Sequence, residues 1–100
     1  MGKTAIIRYR THPEAAEENA RLVEAVYAAL AEVDPGDFRY ATYRLDDGAT
    51  FVHVARFDGA ANPLATLPAF AEFQRDLLQR CVEPPEPSGA TLVGSYGVSS

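Results

Sequence analysis

Two alternating, β-prone segments around one tight turn constrain the fold of this chain more than any other feature. Residues 37–45 and 50–57 are rich in aromatic and β-branched side chains, with Asp46-Asp47-Gly48 between them. Asp-Gly flanked by such runs is the strongest short-range hairpin signal. If the turn pairs residue 46 with residue 49, the side chains sort into two sets. Ala41, Tyr43, Leu45, Val52 and Val54 share one face. Phe38, Tyr40, Phe51, Ala55 and Phe57 share the other, with Thr42, Arg44 and His53 among them. A three-residue loop with Gly48 in the left-handed region is the alternative, and it would exchange partners between the faces.

The flanking segments complete a β-α-β-β-α-β order. Residues 4–10 read as a first strand. Pro13 suits the first position of a helix, and Glu14, Glu17 and Glu18 suit its positive end. Apolar residues at 16, 20, 23, 27 and 30 continue it to about residue 33, where Asp34-Pro35-Gly36 stops it. Asp58-Gly59 breaks the third strand. Leu64 to Leu67 read as a short helical turn, and Pro68 opens a second main helix with Phe70, Phe73, Leu77 and Cys81 on one stripe. The Pro-rich run 83–89 reads as a stiff connection to a last strand at 91–97. This order predicts an α+β, ferredoxin-like sandwich: one antiparallel four-stranded sheet with both helices on one face.

That arrangement leaves one sheet face open. The first hairpin set can pack under the helices; the second would then form an apolar patch that a soluble monomer seldom exposes. Covering several hundred Å² there is worth on the order of 10 kcal/mol at ~25 cal/mol per Å², before the cost of association. The expectation is a homodimer through the exposed sheet face.

Composition narrows the function classes. A chain of 100 residues is one domain's worth, so residues 1–100 read as a single domain. The net charge of −5 disfavours nucleic acid and anionic membranes as partners. No apolar run is long enough to span a membrane, and no signal-peptide core follows Lys3. A cytoplasmic protein is expected. Cys81 is the only cysteine, and His12 and His53 have no acidic ligands at metal-binding spacing, so no metal is expected.

The longest chemistry-bearing pattern is a set of aromatic strands around His53. An imidazole in mid-strand can move a proton near neutral pH; its ordinary reading is a hydrogen-bonded histidine at a cavity wall or dimer face. Tyr43 or Tyr9 is the tyrosine chosen to work with it, and Tyr27 on the first helix can help line a ligand cavity. Asn62 lies in the loop before the second helix, where Asn-Pro also initiates turns. Phe70 and Phe73 read as helix core that shapes a pocket, and Arg44 as a residue for an anion or a partner's acid.

The chain resembles the antibiotic-biosynthesis monooxygenase-like proteins of the dimeric α+β barrel superfamily. The resemblance covers about residues 4–97. It rests on Arg8-Tyr9-Arg10, Glu18-Asn19-Ala20-Arg21-Leu22-Val23, Tyr40-Ala41-Thr42-Tyr43-Arg44-Leu45 and Phe51-Val52-His53-Val54. Asp47-Gly48, Asn62-Pro63-Leu64, Leu67-Pro68-Ala69-Phe70 and Val93-Gly94-Ser95-Tyr96 complete it. It implies a dimer with a cavity between sheet and helices in each subunit. It also implies cofactor-independent oxygenation of an aromatic or polyketide-like substrate. The oxygenase sites of the family use Asn, Trp and Tyr, and this chain has no Trp. Haem-degrading members carry a His on the second helix, and none lies between residues 63 and 83. Two functions follow: a cofactor-independent monooxygenase, or a non-catalytic dimeric module that binds a small hydrophobic or aromatic ligand or serves structurally.

Overall fold

The computed structural model describes residues 3–36, 38–58 and 62–97. Asp37, the first residue of the expected second strand, and the strand-breaking Gly59 lie outside them. Strand β1 (Lys3–Thr11) leads through a 3-10 turn at Pro13–Ala15 into helix α1 (Ala16–Val33). Asp34 ends the helix in the left-handed conformation, its N–H reaching the Leu30 carbonyl, and Pro35 prevents continuation. Strands β2 (Phe38–Arg44) and β3 (Thr50–Phe57) form the hairpin. A 3-10 turn at Pro63–Thr66, helix α2 (Pro68–Arg75), a single turn α3 (Leu77–Arg80) and strand β4 (Cys81–Ala90) follow. The sheet is antiparallel throughout, in the order β2-β3-β1-β4. This is the ferredoxin-like α+β arrangement that the element order predicts.

The hairpin register is also as predicted: Tyr40 faces Ala55 and Thr42 faces His53. Four residues rather than two close the loop, because Leu45 and Thr50 are the innermost bonded pair. Gly48 sits at φ +79°, where a side chain would be strained. The Asp47 carboxylate binds the Ala49 and Thr50 amides and the Thr50 hydroxyl at 2.6–2.9 Å. The Thr50 hydroxyl and the two amides hold its pKa down to about 2.

Which hairpin face the helices cover is the reverse of the expectation. Phe38, Tyr40, Phe51, His53, Ala55 and Phe57 lie under the helices, while Ala41, Tyr43, Val52 and Val54 face the open side. The reason is charge. Arg39 and Arg56 alternate in phase with the open set, and Arg8 on β1 joins them, opposite Val52. Three guanidinium groups under the helices would each need a partner there; facing outward, they do not.

The last strand also differs. The Pro-rich run expected as a connection is part of β4 itself, and residues 91–97 are irregular and exposed. β4 is an edge strand paired only to β1, so a missing N–H on its outer side removes no ladder bond. Its register against β1 shifts between Arg8 and Arg10, the stretch that holds Pro84 and Pro85. Cys81, expected on the helical stripe, instead begins this strand half-buried. The second helix breaks at Asp76, yet Phe73 and Leu77 stay buried on one side.

The core lies between the sheet and α1–α2. Tyr9 and Phe51 from the sheet meet Leu22, Val23 and Val26 of α1 and Phe73 of α2. Arg44, expected for an anion or a partner's acid, pairs with Glu17 of its own chain at 2.9 Å.

Candidate functional site

The sheet and α2 do not close completely on each other. A cavity of about 270 Å³ remains between them. Its floor is β1 and β3, with Ile7, Tyr9, His53 and Ala55; its roof is Phe70 and Phe73 of α2; Pro85 and Pro87 of β4 form a side wall. The lining is mostly apolar, which suits a flat hydrophobic ligand.

Most of its few polar groups belong to one connected chain. His53 is 4% exposed. Its Nε2 lies 2.7 Å from the Tyr9 hydroxyl. Its Nδ1 lies 2.7 Å from the Tyr40 hydroxyl and 3.1 Å from Thr42 Oγ1. Thr42 in turn bonds the Tyr27 hydroxyl at 2.9 Å. On the other side, Asn19 Nδ2 donates to the Tyr9 oxygen at 2.8 Å, and Arg80 Nε donates to Asn19 Oδ1 at 3.1 Å. Arg80 also donates to the Phe73 carbonyl at 2.7 Å and lies over the Phe73 ring. Strand alternation puts Tyr9 and His53 on the same floor, and helix α1 brings Asn19 down onto them.

Burial sets the protonation of the site. Desolvation lowers the His53 pKa to about 4, so the ring is neutral at pH 7. Burial raises the Tyr9 and Tyr40 hydroxyls above their ordinary value of 10, so both stay protonated. The rings are also in contact: Tyr9 stacks on Phe51 with centroids 5.6 Å apart, and Phe73 leans on His53 at 5.5 Å.

Five of the seven residues singled out from sequence meet here. His53, Tyr9, Asn62, Phe70 and Phe73 all line the cavity. Asn62 also caps the following turn, its Oδ1 accepting from the Leu64 amide at 3.0 Å. Tyr27 is one step removed: it stacks on Tyr40 and holds Thr42. Tyr43 is not brought to the cavity. It faces the open side, 59% exposed, because the helices cover the other hairpin set. Tyr40 takes the place beside His53 that was expected of Tyr43. Asn19, Thr42 and Arg80 were not anticipated in this role. The available signal was a polar residue, Asn19, within an apolar helical stripe. Among the described residues, no group of three or more His, Cys, Asp or Glu side chains is placed to hold a metal ion. No helix among them is long and apolar enough to cross a membrane.

No protein-family model and no curated protein matches the chain. Solved structures do. Rv0793 from Mycobacterium tuberculosis superposes with a TM-score of 0.75 at 16% identity, over 97% of this chain and 100% of that one. A mutant of SnoaB, described as a cofactor-independent oxygenase from Streptomyces nogalater, superposes at 0.70 with 21% identity, over 97% and 98%. A protein described as an antibiotic biosynthesis monooxygenase superposes at 0.74 with 13% identity, over 94% and 100%. Coverage of 94% or more of both chains at such low identity identifies the architecture. The chain has the ferredoxin-like α+β fold of the antibiotic biosynthesis monooxygenase-like proteins.

Proposed function

We propose that the protein is a cofactor-independent oxygenase of a flat aromatic or polyketide-like substrate bound in the cavity under α2. The observation that carries this reading is a buried, neutral imidazole joined to two tyrosine hydroxyls on the wall of an apolar cavity. The fold shared with SnoaB supports it. His53 serves as the proton acceptor and Tyr9 as the relay. An activated ring CH2 of the substrate gives a proton to the Tyr9 oxygen as Tyr9 passes its own to Nε2. The carbanion transfers its electrons to O2 and forms a C–O bond. The imidazolium returns the proton to the peroxide, which loses water to leave a carbonyl. One oxygen atom ends in the product and one in water. An anion forming beside His53 favours its charged form and lifts the low resting pKa as the reaction proceeds.

The same reading takes residues 1–100 as one domain working as a homodimer in the cytoplasm. The open sheet face carries Ile6, Ala41, Tyr43, Val52 and Val54. Leu92 and Val93 lie beside this face, and Val93 is fully exposed. Face-to-face packing of two copies would cover them.

The test is O2 uptake with anthrone as substrate, comparing wild type with His53→Ala. Uptake by the wild type, reduced roughly 100- to 10,000-fold in the variant, is the expected result. Equal rates would remove His53 from the mechanism. Anthrone binding without uptake would favour the second reading, a non-catalytic binding module. That reading has its own support: the chain has no Trp, and partners within the chain already occupy both imidazole nitrogens.

A further inference from the structure

The hydrogen-bond chain through the cavity wall has a direction, and a buried arginine at one end sets it. A guanidinium can only donate. Arg80 Nε points at Asn19 Oδ1, and the bond from its Nη2 to the Phe73 carbonyl holds the group in place. The Asn19 amide therefore turns its oxygen to Arg80 and its NH2 to Tyr9. The Tyr9 oxygen accepts, which leaves the Tyr9 hydrogen for His53 Nε2, 2.7 Å away. If Nε2 carried the hydrogen instead, the Tyr9 hydroxyl would accept twice. Its own hydrogen would then lack an acceptor at a residue only 2% exposed, an arrangement folded proteins avoid. Nε2 is thus an acceptor, and the ring hydrogen lies on Nδ1, facing the Tyr40 and Thr42 oxygens.

We infer that Arg80, acting through Asn19 and Tyr9, fixes His53 in its Nδ1–H tautomer and so makes Tyr40 a hydrogen-bond donor to the ligand. With the opposite tautomer, the Tyr40 hydrogen would be held by Nδ1. With this one, the Tyr40 oxygen accepts from the ring and its hydrogen is released. Tyr40 lines the cavity, so a ligand oxygen bound there can take that hydrogen. The cavity then selects flat apolar molecules that present an oxygen acceptor, an aromatic ketone above all. Arg80 is a positioning residue, two side chains removed from the imidazole. The ligand preference rests on the reading of the cavity as the binding site; the tautomer does not.

Long-range 15N–1H correlation spectra of the ligand-free protein read the tautomer directly. The chain has only two histidines, so a His12→Ala variant assigns the signals. The wild type should show hydrogen-bearing Nδ1 and bare Nε2 at His53. Asn19→Asp keeps the shape but makes residue 19 accept from both Arg80 and Tyr9, so the hydrogen should move to Nε2. Arg80→Met frees the amide to turn and should give a mixture. Binding of 2-acetonaphthone relative to naphthalene reads the consequence: a preference of roughly 2- to 10-fold in wild type, lost in Asn19→Asp. An Nε2–H wild type, or an unchanged tautomer in both variants, would overturn the relay. Equal binding of the two probes by the wild type, or binding of neither, would overturn the donor role of Tyr40. The spectra need no turnover, so the absence of O2 uptake does not mimic either failure.

Discussion

At the level of single residues, the cavity wall holds polar groups that are buried because they satisfy one another. His53 is the pH-sensitive member. Its pKa is about 4 in the folded chain against 6.5 unperturbed. Between those values the unfolded chain binds a proton that the folded chain does not. His53 therefore contributes its full stability above about pH 6.5 and loses it as the pH falls towards 4. The loss should amount to roughly 3 kcal/mol. Urea unfolding of wild type and His53→Gln across that range checks it, because the pH-dependent difference between them isolates this residue. Asn19 is the second test. Asn19→Ala leaves Arg80 and Tyr9 each short of a partner in the interior and should destabilise the fold by about 2–3 kcal/mol, read from the same urea midpoints. A change below 0.5 kcal/mol would mean that water replaces the amide.

At the scale of elements, the hairpin and the proline-bearing edge make opposite demands. The hairpin needs its turn: Gly48→Ala places a side chain at φ +79° and should cost about 1–2 kcal/mol in urea unfolding. The edge needs its prolines. β4 is paired on one side only, and a run with Pro84, Pro85 and Pro87 presents no unbroken row of N–H groups to another chain. Replacing all three with valine should produce concentration-dependent association beyond that of the wild type, visible by light scattering. The hairpin was legible in the sequence because its signals are local: alternation and an Asp-Gly turn. The last strand was not, because prolines are poor strand formers in general and tolerated at an edge in particular. Whether a strand lies at an edge depends on pairing between distant residues, here β1 with β4. The helix stripe of α1 was readable, including Asn19 within it, but the reason for a buried amide at that position appears only when Tyr9 and Arg80 are beside it.

At the scale of the whole molecule, a single parity decision governs both the site and the surface. The two hairpin side-chain sets were readable, but alternation alone does not say which set the helices cover. The choice moved Tyr43 to the outside and Tyr40 to His53. Arg39 and Arg56 held the deciding information, since both lie in phase with Val54 and Ala41. The open face that results is the proposed dimer surface. If that proposal holds, the wild type should sediment as two chains and Val54→Asp as a folded monomer; equal masses for the two would place the contact elsewhere. The central claim concerns the opposite face: the cavity between sheet and α2 receives a flat apolar ligand against His53. The most direct measurement is an NMR titration of the two histidine ring Cε1–H signals with anthrone. A saturable shift of the His53 signal is expected, with His12 unmoved. A His53 signal that stays still, or the two signals moving together, would contradict it.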